Sequence, residues 1–156
     1  HQYGAKALLL TASCDQTTAL KNRSVDLIVT SPPFLDMVDY AVDNWLRCWF
    51  NGIDEKGIPL WKLRKVEDWQ RHMEVTFKEL RRVLKPGGYI AFEVGEVRNG
   101  RIKLEQHVIP AAENAGLAPV LVVVNAQEFT KTSNVWGVDN QTKGTNTNRI
   151  VLLRKV

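Results

Sequence analysis

Ser31-Pro32-Pro33-Phe34 is the segment whose residue types could do chemistry. The serine hydroxyl can accept a hydrogen bond as well as donate one. The two prolines carry no N–H and have a fixed φ, so they hold main-chain carbonyls outward in a stiff turn. Phe34 adds a flat apolar face. Acceptors are thus set beside an aromatic platform, with no histidine near the motif. Pro-Pro after a strand is also commonly just a turn, and these four residues alone leave that plain reading open.

The motif needs an element to deliver it. Residues 25–30 (VDLIVT) are rich in branched side chains and stopped by the prolines, which predicts a strand. Residues 5–12 (AKALLLTA) are a second apolar run of strand length. Their largely continuous apolar character predicts cover on both faces, as in a parallel sheet between helices. A helix is expected over 40–51, where Val42, Trp45, Leu46, Trp49 and Phe50 share one face and Gly52 follows as a stop. Residues 52–65 read as a loop. A longer helix is expected over 66–85, with Trp69, Met73, Phe77, Leu80 and Leu84 as its buried stripe and Pro86-Gly87-Gly88 ending it. Strands are expected at 89–94, 119–126 and 149–153, with a helix over 103–115 bent at Pro110. Strands alternating with helices predict an α/β fold with a mainly parallel sheet. Ligands in such sheets bind beyond the carboxyl ends of the strands, where SPPF and the loop after Val94 both begin.

The 156 residues suit one domain over 1–156, and 44% hydrophobic content suffices for a core. No apolar run approaches the roughly 20 residues that cross a bilayer, and no secretory signal is visible. The formal net charge of +4 suits a polyanionic partner without demanding one. Cys14 and Cys48 show no metal or redox spacing, so each reads as a buried free thiol in a reducing cytoplasm. His1, His72 and His107 form no ligand-like set, and no metal site is expected.

Residues 24–33 read SVDLIVTSPP, and in this the chain resembles the DNA amino-methyltransferases that modify exocyclic nitrogens. The Ser-first form, preceded by Thr30, most resembles the enzymes of cytosine N4; adenine N6 enzymes more often place Asp or Asn first. Leu84-Lys85-Pro86-Gly87-Gly88 before a strand, and Asn148-Arg149 entering the last one, also look like that family. The resemblance implies a Rossmann-like class I methyltransferase fold with helices on both faces, S-adenosylmethionine as cofactor and DNA as partner. Ser31, Pro32, Pro33 and Phe34 would then be catalytic, gripping the amino group of a flipped base that stacks on Phe34. An exocyclic amine is a poor nucleophile because its lone pair is delocalised. Accepting both of its N–H bonds restores electron density at the nitrogen, so no strong base is needed.

The family's glycine-rich loop, typically Gly-x-Gly, cradles the methionine part of the cofactor. This chain has ten glycines and no Gly-x-Gly. The implied fold therefore lacks its first strands, and the loop is expected upstream in a longer enzyme, downstream in a circularly permuted one, or on a partner chain. A shortened fold, in which residues 5–12 pair directly with 25–30, is the alternative. Asp15, Thr30 and Ser31 are the candidate cofactor contacts, and Tyr40, Trp136, Lys143 and Asn148 the candidate substrate contacts. Glu93 and Glu96 could border the cofactor. The group Lys131, Lys143, Asn134, Asn140, Asn146 and Asn148 reads equally as phosphate-tracking or as a solvated loop. Trp45, Trp49 and Trp69 read as core, and Arg71, Lys78, Arg81, Arg82 and Lys85 as a solvated helix face. Other outcomes of the same chemistry are methylation of adenine N6 or of an RNA or protein amide nitrogen. A nucleic-acid-binding fragment without catalysis is the non-enzymatic alternative.

Overall fold

The computed structural model describes residues 7–33, 35, 39–58, 60–61, 63–97, 101–126 and 147–156. Strand β1, Val25–Thr30, is followed by helix α1, Tyr40–Phe50, a short 3-10 turn at Glu55–Gly57, and helix α2, Val66–Val83. Strand β2, Leu84–Val94, starts without a loop between it and α2. A small ribbon of β3, Glu96–Val97, and β4, Ile102–Lys103, leads into helix α3, Glu105–Asn114. Strands β5, Ala118–Ala126, and β6, Thr147–Arg154, complete the described elements.

The main sheet has the order β1-β2-β6-β5. β1 and β2 are parallel, with Thr30 beside Phe92, while β6 is antiparallel to both of its neighbours. β1, β2 and β5 therefore all point the same way, with β6 reversed between two of them. The carboxyl ends of β1 and β2 meet the start of β6, where Val94 pairs with Arg149.

Alternation along β2 decides which side is core. Ile90, Phe92 and Val94 are buried with Val151 and Leu153 of β6, under Trp69, Met73 and Phe77 of α2 and Val108, Ala111 and Ala112 of α3. Phe77 and Phe92 meet with ring centroids 4.8 Å apart and planes tilted by 57°. Such a pair adds about 0.5–1.5 kcal/mol beyond its area burial. The described helices α2 and α3 share this face. On the other face Leu27, Val29, Tyr89, Leu121 and Val123 stay exposed.

Several expectations change here. Residues 7–12 are not a strand, and Leu9 is 92% exposed, so the direct pairing with β1 is not formed among the described residues. The stripe of α1 faces outward: Val42, Trp45, Leu46, Trp49 and Phe50 are all exposed, with Trp49 at 67%. Trp45 and Trp49 are therefore not core, although Trp69 is. Cys48 is buried as expected, but Cys14 is exposed. Lys85-Pro86-Gly87-Gly88 lies within β2 rather than before it. The register steps from Val25↔Leu84 to Leu27↔Tyr89, so these residues bulge out of the ladder. The bulge is tied to the chain end by Gly87 N–H to the Lys155 carbonyl (2.8 Å) and Lys155 N–H to the Gly88 carbonyl (3.0 Å). A Cβ on Gly88 would stand 2.8 Å from the Asp26 carbonyl oxygen, so only glycine lets β1 pass this close.

The basic set on α2 is also not simply solvated. Arg82 donates to the carbonyls of Leu20 (2.9 Å) and Thr17 (3.0 Å) and to both oxygens of Glu79. Glu79 Oε1 in turn accepts from the Thr17 N–H (2.8 Å) and hydroxyl (2.6 Å). This network fastens residues 17–22 against α2. The Lys155 ammonium caps the end of the helix through the carbonyls of Arg81 (2.6 Å) and Leu84 (2.7 Å), and burial lowers its pKa.

The Arg82 hydrogen bonds hold the Glu79 carboxyl down at about 2, against an ordinary 4.5. A depressed carboxylate contributes stability that is full above its unfolded pKa and lost as pH falls toward the folded one. The gap in denaturant midpoint between wild type and Glu79→Gln should therefore be widest above pH 4.5 and narrow between 4.5 and 2. A gap that ignores pH over that range contradicts this role.

Candidate active site

β1 delivers Ser31 directly beyond Thr30, at the open end of the parallel pair. Ser31 and Pro33 are exposed and Pro32 is half-buried. Two anchors hold the turn from below. The Trp69 indole N–H donates to the Pro33 carbonyl at 3.1 Å, and Leu35, just past the motif, is buried in the main core. Asp39 then starts α1 by accepting from the N–H groups of Ala41 (3.1 Å) and Val42 (3.4 Å). Phe34 lies outside the described residues.

Across the strand ends sits a buried ion cluster. Arg149 Nε meets Glu105 Oε1 at 2.9 Å, its Nη2 pairs with Glu96 Oε1, and its Nη1 donates to the Thr147 hydroxyl at 2.7 Å. Arg149 is 7% exposed. One guanidinium thus joins the first turn of α3, the β3–β4 ribbon and the start of β6. Its Cα stands two strands from β1, about 10 Å by ordinary strand spacing.

A family model described as DNA methylase, of the N6/N4 methyltransferase type, matches residues 25–152. The chain belongs to this DNA methylase family. A protein of Thermus thermophilus assigned as a DNA modification methylase matches in structure at 20% identity, with a TM-score of 0.51, 88% of this chain and 47% of that one covered. Its complex with S-adenosyl-L-methionine matches at 18% identity and a TM-score of 0.53, over 88% and 48%. A SAM-dependent methyltransferase from Methanosarcina mazei matches at 13% identity and 0.51, over 93% and 65%. These likenesses establish the methyltransferase fold. The chain spans about half the length of the Thermus protein. No curated protein matches it.

Within the DNA methylase fold, the expected site residues do not all stand together. Thr30, Ser31, Pro32 and Pro33 stand together at the end of β1. Tyr40, half-buried, opens α1 a few residues on, and its carbonyl accepts from Asn44 at 2.9 Å. Asn148 is half-buried in β6, opposite Asn125 of β5. Asp15 lies apart, accepting from the Ser13 hydroxyl in a turn whose neighbours contact α2 at Thr76 and Glu79. Thr76 is seven residues past Trp69, roughly 10 Å along the helix. Trp136, Lys143 and the loop residues Lys131, Asn134, Asn140 and Asn146 lie outside the described residues. Glu93 is half-buried and Glu96 is committed to Arg149. Among the described residues no group of His, Cys, Asp and Glu could hold a metal, and no helix is long and apolar enough to cross a membrane.

Sequence reasoning missed the Arg149 cluster and the second role of Trp69. One signal for the cluster was available: an arginine at the mouth of an apolar terminal strand, with glutamates just past the neighbouring one. Removing Arg149 would leave two largely buried carboxylates facing each other. Arg149→Met is expected to cost about 3 kcal/mol or more in chemical denaturation. Adding Glu96→Gln and Glu105→Gln should recover most of that loss, and a harmless Arg149→Met would refute the cluster's role.

Proposed function

We propose that this domain is the amine-gripping part of a DNA methyltransferase that takes its methyl group from S-adenosylmethionine and places it on N4 of cytosine. The observation that carries this is Ser31, exposed on a braced Pro-Pro turn at the carboxyl end of β1, in a chain of the DNA methylase family. The Ser31 hydroxyl accepts one N–H of the amine and a main-chain carbonyl of the turn accepts the other. Donating both of its N–H groups to acceptors draws the nitrogen toward tetrahedral geometry and localises its lone pair. A flipped base stacks on Phe34, worth roughly 1–3 kcal/mol. The Ser-first form of the motif favours cytosine N4 over adenine N6.

S-adenosylmethionine supplies the methyl group when bound. The described residues fit its acceptor side only, since they hold no glycine cradle and Asp15 stands away from the turn. The cradle, in this reading, belongs to a strand that pairs with the edge of β1 left unpaired among the described residues, carried by flanking sequence or a partner chain. The lack of a glycine cradle in the sequence leaves a second reading, a nucleic-acid-binding domain without catalysis. Calorimetry with S-adenosylmethionine on the protein together with its flanking sequence or partner chain separates the two, since binding supports the enzyme and its absence supports the binding domain.

Ser31→Ala should lower transfer of label from methyl-labelled S-adenosylmethionine to DNA by at least about 100-fold. Because Ser31 is exposed, the melting temperature should stay unchanged. Retained labelling by this variant would remove the motif from the mechanism.

A further inference from the structure

We infer that Trp69 is a positioning residue for the amine-gripping turn, through its indole N–H on the Pro33 carbonyl. The inference rests on the reading under Proposed function and adds a residue to it. Trp69 is 2% exposed, so its N–H must find a partner inside the protein. The partner is a carbonyl 36 residues earlier in the chain, at 3.1 Å. That carbonyl sits in a stretch where neither Pro32 nor Pro33 has an N–H to bond across the turn. The turn is therefore held from outside, by Trp69 on one side and by the buried Leu35 on the other.

Two consequences follow for the reaction. First, the Pro33 carbonyl is turned toward the buried indole, which leaves the carbonyls of Ser31 and Pro32 as the better-placed candidates to accept the second N–H of the amine. Second, the acceptors are referenced to a rigid body. Trp69 shares its helix with Met73 and Phe77, which are packed on the sheet, and with Glu79 and Arg82, which fasten the segment before β1. A shift of about 1 Å in a positioned group can cost on the order of 100-fold in rate.

The test, in the protein together with the flanking segment or partner chain that carries the cradle, is to replace Trp69 by β-(3-benzothienyl)alanine, which keeps the ring shape and exchanges the N–H for sulfur. Three results are expected: a melting temperature close to wild type, a displaced 13C signal for the Pro33 carbonyl, and kcat lower by on the order of 10- to 100-fold with KM for DNA little changed. Trp69→Phe should lower kcat at least as far and also lower the melting temperature. An unmoved Pro33 signal, or a kcat within about two-fold of wild type for the isosteric variant, overturns the inference. If wild-type protein makes no methylated product while the Pro33 signal still moves, the functional reading fails and the positioning role falls with it. An active wild type with an indifferent isosteric variant refutes the positioning role alone.

Discussion

Two parallel strands can lie side by side only if the chain crosses back over the sheet between them, and α2 is the helix that makes this return. It runs from the carboxyl end of β1 to the start of β2, so its own two ends are fixed at opposite ends of the sheet. Each turn of its buried stripe then fixes something different. Trp69 holds the motif turn, Phe77 seats on Phe92, and Glu79 with Arg82 holds the segment that feeds β1. The position of Ser31 is thus a consequence of how α2 packs, as much as of the strand that carries it.

The crossover also explains why so much was legible in advance. A period of about 3.6 in Trp69, Met73 and Phe77, and strand-length apolar runs at β1, β2, β5 and β6, are signals of buried elements. They gave element type and order within a few residues. The motif was legible because its residue types have a chemical reason to stand together. What failed lay where the same signals have no packing partner. The stripe of α1 is as periodic as that of α2, yet it is exposed, and residues 7–12 are apolar but not in a strand. Periodicity reports a face able to be buried, not what buries it. The Lys85–Gly88 bulge and the Trp69 bond were illegible for another reason. Both depend on contacts with β1 or the turn after it, far away along the chain.

The unmatched surfaces fall into a pattern. Among the described residues β1 pairs on one edge only, the sheet face bearing Leu27, Val29 and Val123 is open, and so is the stripe of α1. The chain spans about half the length of the Thermus structures that share its fold. The described residues contain the acceptor end of a methyltransferase sheet, whereas the glycine loop of such folds is absent from the sequence.

A single product is the decisive reading. DNA incubated with S-adenosylmethionine and the protein together with the flanking segment or partner chain that carries the cradle, digested to nucleosides and resolved by mass spectrometry, reports directly which amine the turn holds. The account predicts N4-methylcytosine. N6-methyladenine would contradict the cytosine assignment drawn from Ser31, and DNA left unmodified would contradict the claim that this turn grips an amine for transfer.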